Sequence, residues 1–148
     1  TAHKQGRIAG ENAVGGVAEF HGVLGTQVVK VFDRVAARTG LKESEATAEG
    51  FEPLSIQIRL PDHKPYYPVA QSMDILLTAD KPTHRLLGAQ IVGAYGTEIS
   101  KRIDILAAAL FSELTVNALI DLDLSYTPPL SAPWDPVQAA AMKWLATV

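Results

Sequence analysis

Two short segments of the chain place tyrosine beside proline. They are Pro65-Tyr66-Tyr67-Pro68 and Tyr126-Thr127-Pro128-Pro129. Because proline fixes its own backbone angle φ, we expect each phenol to be carried on a stiff loop. A phenol is protonated at neutral pH, so it can donate a hydrogen bond to a thiolate or orient a thiol-bearing ligand. From these residues alone, loops that only cover the end of a sheet are the favoured interpretation.

Motifs for autonomous catalysis are absent. No Gly-x-Gly-x-x-Gly segment follows a predicted strand and no Gly-Lys-Ser/Thr loop occurs, which excludes the usual cradles for dinucleotides and triphosphates. The four histidines are scattered without the spacing of a zinc site, so we expect no metal. The chain has no cysteine and no Gly-x-Ser-x-Gly segment, so it supplies neither a thiolate nor the nucleophile typical of serine hydrolases.

Composition and charge are those of one globular unit. The 148 residues are 47% hydrophobic and 20% charged. The net charge of −3 and the lack of a long basic block argue against a nucleic-acid partner. No apolar run approaches the roughly 18 to 20 residues of a membrane span, and the polar start is unlike a signal peptide. We therefore expect a cytoplasmic protein without membrane or nucleic-acid partners.

The spacing of apolar residues predicts an α+β fold with an antiparallel β-sheet packed with helices. Residues 54–60 alternate apolar and polar side chains, which is typical of a strand, and Pro61 ends it. Further strands are predicted over 26–33, 73–78 and 85–92, and the last two form a hairpin.

Helices are predicted over 2–14, 43–49, 97–114, 115–120 and 135–146. In the longest of them, Thr97 is expected to be the N-cap and Glu98 to pair with Arg102 one turn later. Thr115 is expected to cap the helix that follows.

A glycine-rich connector that includes Gly22 and Gly25 follows the first predicted helix. We place a domain boundary there, which divides the chain into 1–22 and 23–148. The first helix has few apolar anchors, and the chain begins at Thr1 without an initiator Met. We therefore expect a fragment of a longer protein.

Several segments, in this order, resemble the FAD-dependent pyridine nucleotide-disulfide oxidoreductases. The segment Ala2-His3-Lys4-Gln5-Gly6-Arg7-Ile8-Ala9-Gly10-Glu11-Asn12 is similar to the helix that ends their FAD domain. The segments Leu24-Gly25-Thr26, Val29-Lys30-Val31-Phe32-Asp33 and Lys101-Arg102-Ile103-Asp104 are similar to parts of their C-terminal dimerisation domain.

Within that family, the two tyrosine segments and Asp135-Pro136-Val137 resemble the coenzyme A disulfide reductases and their NADH oxidase and persulfide reductase relatives. The tail lacks the catalytic His and Glu of glutathione-reductase-like members. That branch usually has Gly after Tyr-Tyr-Pro, whereas Val69 stands here. If that glycine has a positive φ, we expect the loop to differ locally.

The resemblance implies the dimerisation domain of an FAD-dependent NAD(P)H disulfide oxidoreductase, inactive alone, that forms a homodimer. It implies that Tyr126 first, then Tyr67 or Tyr66, reach the partner's active-site cysteine and a bound coenzyme A thiol. It also implies that Thr1 and Ala2 begin a helix that approaches the flavin. FAD and NAD(P)H are expected in the full-length parent, and no cofactor in this chain.

Two alternatives to this function stay open. One is a free-standing α+β module that binds a ligand or a protein, with the Tyr-Pro loops lining a groove. The other is the interface scaffold of an oxygen-reducing NADH oxidase, in which the tyrosines only pack.

Overall fold

The computed structural model describes residues 1–148 as five helices and five strands. In chain order these are α1 (Ala2–Ala13), β1 (Gln27–Val31), β2 (Arg34–Gly40), α2 (Glu43–Ala48), β3 (Pro53–Pro61), β4 (Ser72–Asp80), β5 (Leu86–Ala94), α3 (Ile99–Phe111), α4 (Val116–Ile120) and α5 (Pro136–Leu145). No helix is both long enough and apolar enough to cross a membrane.

All five strands form one antiparallel sheet in the order β1-β2-β5-β4-β3. The predicted α+β fold, the strand that ends at Pro61 and the β4-β5 hairpin are confirmed. Strand β2 was not predicted. Its buried positions are Val35, Ala37 and Thr39, whose small or polar side chains give only a weak apolar alternation. This segment is a strand because it pairs with β5, not because its own side chains favour one.

One face of the sheet carries the core. Alternate side chains of β2 to β5 pack with those of α3, α4 and α5 in a single apolar cluster. Trp144 of α5 is fully buried, and its Nε1 donates a hydrogen bond of 2.8 Å to the Leu54 carbonyl of β3. Burial of this cluster fixes the ends of the strands, and the loops that join them therefore start from a rigid base.

The start of α3 differs from the prediction. Thr97 is not the N-cap: its hydroxyl donates to the Ala94 carbonyl at 2.7 Å and closes the turn after β5. Glu98 is the N-cap, with φ of 55°. The predicted Glu98–Arg102 pair is also wrong, because the Arg102 side chain is buried and pairs with Asp135.

Other predicted helix starts are confirmed. The Thr115 side chain caps α4 by accepting from the Ala118 N–H at 3.2 Å. Asp135 caps α5 in the same way, and Pro136 occupies the first helical position. Helix α1 has no buried residue, and the hydrogen bonds of residues 1–23 stay within that segment.

Candidate functional site

The first tyrosine segment lies in the 62–71 loop, which connects β3 to β4. Two hydrogen bonds of 2.9 Å close the base of this loop. Asp62 N–H donates to the Gln71 carbonyl, and Gln71 N–H donates to Asp62 Oδ1. The loop is therefore an extension of the sheet rather than a loose connection.

His63 braces the same loop from inside. Its ring is buried, with Nδ1 3.1 Å from Asp62 Oδ1 and Nε2 3.2 Å from the Pro68 carbonyl. The Tyr67 N–H donates to the Lys64 carbonyl at 2.9 Å. The sequence does not distinguish His63 from the other three histidines, because its partners are a backbone carbonyl and the carboxylate of the adjacent residue, which form no motif.

Val69 keeps a backbone conformation that favours glycine. Its φ is 64°, in the left-handed region that a β-branched residue rarely adopts. Val69 thus takes the positive φ that glycine adopts without strain, and whether the loop differs from that of the family stays a prediction. The hydrogen bonds at Asp62, His63 and Pro68 hold the loop in its shape in spite of the local strain.

The tyrosine rings of this loop point outward. Tyr66 is 72% exposed and Tyr67 is 38% exposed, and their ring centroids lie 5.2 Å apart at a tilt of 45°. Neither hydroxyl makes a hydrogen bond within the chain. Both phenols are therefore free to donate to a group outside the chain.

The second tyrosine segment lies in the 121–135 loop, between α4 and α5. Tyr126 is 44% exposed, and its hydroxyl also lacks a partner within the chain. The N–H groups of Leu130 and Ser131 both donate to the Thr127 carbonyl at 3.0 Å, which folds the Pro-Pro stretch into a turn.

A backbone hydrogen bond joins the two loops. The N–H of Lys64 donates to the Pro128 carbonyl at 3.2 Å. The structure thus brings together the two segments that the sequence singled out. The two loops expose six large side chains, which we call the tyrosine surface: Tyr66, Tyr67, Val69, Tyr126, Leu130 and Trp134. Trp134 was missed, although the sequence shows a tryptophan directly before the predicted start of a helix at Asp135.

Thr1 and Ala2 are not connected to the tyrosine surface by hydrogen bonds. They form the exposed N-terminus of α1, and no hydrogen bond links residues 1–23 to either loop. The first turn of α1 contains no acidic residue. Its leading N–H groups have no intrahelical acceptor, so this end of the helix suits an electron-rich group.

The groups with clearly shifted pKa lie outside the two loops. The hydrogen bond from Thr83 lowers the pKa of Asp80, burial opposes this effect, and the Glu52 N–H adds to it. The hydrogen bond from the Lys42 N–H lowers the pKa of Glu45. No group of three or more His, Asp or Glu side chains is placed to hold a metal ion. The tyrosine surface therefore consists of three phenols that can donate hydrogen bonds and of the apolar area of Val69, Leu130 and Trp134.

Residues 26–136 match the dimerisation domain of the pyridine nucleotide-disulphide oxidoreductases. The chain belongs to this family. The dimerisation-domain match covers both tyrosine loops and all five strands. It confirms the resemblance to this family that the segments around Val29 and Arg102 indicate.

Several named proteins are similar to this chain over nearly all of its length. The chain is 39% identical to the NAD(P)H sulfur oxidoreductase (CoA-dependent) of Pyrococcus furiosus over 91% of its own length and 30% of that protein. It is 34% identical to the coenzyme A disulfide reductase of Staphylococcus haemolyticus over 96% of the chain and 32% of that protein. The solved NAD-dependent persulfide reductase from A. fulgidus superposes with a TM-score of 0.93 at 40% identity, over 99% of the chain and 27% of that structure. The chain thus spans less than a third of these relatives.

Proposed function

We propose that this dimerisation domain serves an FAD-dependent NAD(P)H disulfide oxidoreductase of the coenzyme A disulfide reductase type. In this proposal Tyr126, Tyr67 and Tyr66 donate hydrogen bonds to a thiol or thiolate in the active site of the partner subunit. The observation that carries it is the pair of joined loops, which presents three exposed phenols whose hydroxyls have no partner within the chain. The names of the relatives, which include a coenzyme A disulfide reductase, support the substrate class.

In this proposal FAD and NAD(P)H supply the redox chemistry of the full-length protein. FAD, when bound, carries electrons between NAD(P)H and the disulfide. Thr1 and Ala2 would hold the start of α1 against the flavin, where free N–H groups favour electron density on the ring. We propose residues 1–22 as a unit separate from 23–148, which is supported by the hydrogen bonds of residues 1–23 staying within that segment.

The role of the phenols is to stabilise negative charge on sulfur. A hydroxyl donor placed against a thiolate stabilises it by a charge-assisted hydrogen bond, which favours the thiolate as leaving group when a disulfide is reduced. The apolar members of the tyrosine surface exclude water from that contact, which strengthens it. Tyrosine is suited to this role because one end of its side chain is apolar and the other end donates.

We propose a homodimer as the working assembly. Strand β1 forms one edge of the sheet, and all five of its residues are exposed. Val29 and Val31 are more than half exposed on this edge, and Phe32 at the adjoining turn is 89% exposed. Exposed apolar edges of this kind are usually covered in the assembled protein.

Sedimentation equilibrium tests the assembly. A concentration-dependent dimer is expected, and Val29→Lys is expected to weaken it because a charge would then have to be buried. A flavoenzyme that carries this chain and stays monomeric at all concentrations would contradict the homodimer.

Substitution of Tyr126 in the flavoenzyme that carries this chain tests the catalytic role. Tyr126→Phe is expected to slow coenzyme A disulfide reduction by about 10- to 100-fold, the cost of one hydrogen bond to a charged group, with flavin content unchanged. Tyr95→Phe is the matched control, since Tyr95 is also exposed but lies beside Lys30 of β1. An unchanged rate in Tyr126→Phe would reject the role, and oxygen as the sole electron acceptor would favour the oxidase scaffold.

A further inference from the structure

Arg102 of α3 lies at the centre of a buried hydrogen-bond cluster below the two tyrosine loops. It is only 4% exposed. Its Nη2 donates to the Asp62 carbonyl at 2.8 Å, and its Nη1 donates to the Thr97 carbonyl at the same distance. Its Nε lies 3.2 Å from Asp135 Oδ2. One guanidinium group therefore binds the base of the 62–71 loop, the turn before α3 and the end of the 121–135 loop.

Asp135 carries this connection into the second loop. Its Oδ2 accepts from the Ser131 hydroxyl at 2.8 Å, and its Oδ1 accepts from the Val137 N–H at 2.9 Å. The carboxylate thereby holds the last part of the Tyr126 loop and caps α5 at once. Together with the Lys64–Pro128 hydrogen bond, this gives the two loops two independent connections.

A buried ion pair is poorly explained by a contribution to stability alone. Removing two charges from water is costly, and well-packed apolar residues often serve a core equally well. The other arginine–carboxylate pairs of the chain, Arg7–Glu11, Arg38–Glu45 and Arg85–Glu113, are partly or largely exposed. The Arg102–Asp135 pair has side chains only 5% and 10% exposed. A planar guanidinium with fixed donor directions is suited to setting the relative position of three backbone segments.

We infer that Arg102 and Asp135 are positioning residues that hold the 62–71 and 121–135 loops in one arrangement, so that phenols from both loops act on one sulfur ligand. This inference rests on the proposed function for its catalytic consequence, but the arrangement itself is a property of the chain. Arg102→Lys keeps the positive charge but loses the guanidinium group, whose N–H donors point in several fixed directions. The substitution therefore weakens the connection to both loops. Ser131→Ala removes one hydroxyl and weakens only the connection to the Tyr126 loop.

Fluorine NMR of the chain labelled with 3-fluorotyrosine tests the arrangement without any cofactor. The chain has four tyrosines, so four signals are expected, and single Tyr→Phe variants assign them. Arg102→Lys is expected to shift the signals of Tyr66, Tyr67 and Tyr126. Ser131→Ala is expected to shift the signal of Tyr126 most. Because this change is milder, it keeps the test decisive if Arg102→Lys does not fold. Arg85→Lys, in an exposed pair, is expected to shift none of the three. Unmoved signals in Ser131→Ala or in folded Arg102→Lys would overturn the inference.

Kinetics of the flavoenzyme that carries this chain test the catalytic consequence. Both variants are expected to lower kcat for coenzyme A disulfide by about tenfold or more, with KM for NAD(P)H and flavin content unchanged, because a misplaced donor slows the chemical step. Arg85→Lys is expected to behave as the wild type.

The outcomes separate this inference from the proposed function. If Tyr126→Phe slows the enzyme while Arg102→Lys and Ser131→Ala shift the NMR signals and leave kcat unchanged, positioning is not needed and the inference fails. If Tyr126→Phe itself has no effect, the proposed function fails, and the NMR spectra alone decide whether Arg102 and Asp135 fix the loops.

Discussion

Lys64 donates its backbone N–H to the Pro128 carbonyl at 3.2 Å, and through this hydrogen bond the loop of Tyr66 and Tyr67 is joined to the loop of Tyr126. The two partners lie far apart in sequence, on either side of β4, β5 and α3. Because both loops also start from rigid ends of the sheet and the helices, they form one surface. A change in either loop is expected to affect the other.

The first prediction concerns coupling between the phenols. If Tyr67 and Tyr126 donate to the same sulfur, the effect of Tyr67→Phe on kcat should be smaller when Tyr126→Phe is already present. Residues that share a ligand show coupling energies of about 0.5–3 kcal/mol in such cycles. Disulfide reduction rates of the wild-type flavoenzyme, the two single variants and the double variant measure it. A cycle of Tyr126→Phe with Tyr95→Phe should be additive, and additivity in the first cycle would exclude a shared sulfur.

The second prediction concerns Val69. A left-handed backbone costs a residue with a Cβ about 1–2 kcal/mol. Glycine avoids this cost, but it loses more conformational entropy on folding, which cancels part of the gain in stability. Val69→Gly is therefore expected to raise the free energy of unfolding by about 0.5–1 kcal/mol, because the 84% exposed side chain loses little packing. Urea denaturation measures the change. Val28→Gly, at a half-exposed position in β1, should lower the same quantity, and an equal loss in both variants would show that Val69 is not strained.

Much of the fold follows from local patterns in the sequence. The alternation over 54–60 predicts β3, and side-chain caps at Thr115 and Asp135 mark the starts of α4 and α5. These signals are strong because each depends on a few neighbouring residues. A strand with one buried face alternates apolar and polar side chains, and a helix cap binds N–H groups two or three residues away. Strand β2 lacks such a signal, since its pairing with β5 rather than its side chains determines it.

The two loops could be predicted from their residues, but the connections between them could not. The prolines around Tyr66 and Tyr126 indicate stiff loops, and the structure confirms that both are loops. The hydrogen bond between Lys64 and Pro128 is made by backbone atoms only, so no side chain in the sequence predicts it. Arg102 was assigned to Glu98 because a pair one turn apart is a good local solution. Its true partner, Asp135, lies 33 residues away and is brought near only by packing.

The third prediction concerns acid stability. The Thr83 hydroxyl and the Glu52 N–H favour the charged form of Asp80, so the pKa of this carboxyl is lower in the folded state than its ordinary value near 3.8. A lowered folded-state pKa contributes stability that is present above the unfolded-state pKa and is lost as the pH falls through the folded-state pKa. Asp80→Asn should therefore be less stable than the wild type at pH 6, and this difference should shrink as the pH falls below about 4.

Urea denaturation at several pH values between about 6 and 2 checks this dependence. Asp123→Asn is the control, since Asp123 is exposed and makes no ion pair within the chain. It should match the wild type across the series. A constant difference between Asp80→Asn and the wild type at every pH would show that the charge of Asp80 is not what stabilises the end of β4.

The fourth prediction separates stability from catalysis at Gly88 of β5. A Cβ at this position would lie 2.7 Å from the Leu41 nitrogen and 2.9 Å from its carbonyl carbon. Backbone atoms cannot move aside as a flexible side chain can, so Gly88→Ala is expected to lower the free energy of unfolding by about 1–3 kcal/mol. Gly6→Ala, in α1 with no atom within 4 Å of its new Cβ, should cause no such loss.

Gly88 pairs with Thr78 near the end of β4, whereas the tyrosine loop leaves β3 and enters β4 at the opposite end, where Pro61 pairs with Ser72. Gly88→Ala should therefore leave kcat per folded flavoenzyme unchanged at a temperature well below its unfolding transition. Measurement of active-site flavin together with turnover gives that ratio. A fall in kcat comparable to that of Tyr126→Phe would mean that strain at one end of the sheet reaches the tyrosine surface at the other, and the two loops would then depend on the whole sheet rather than on Arg102 and Asp135.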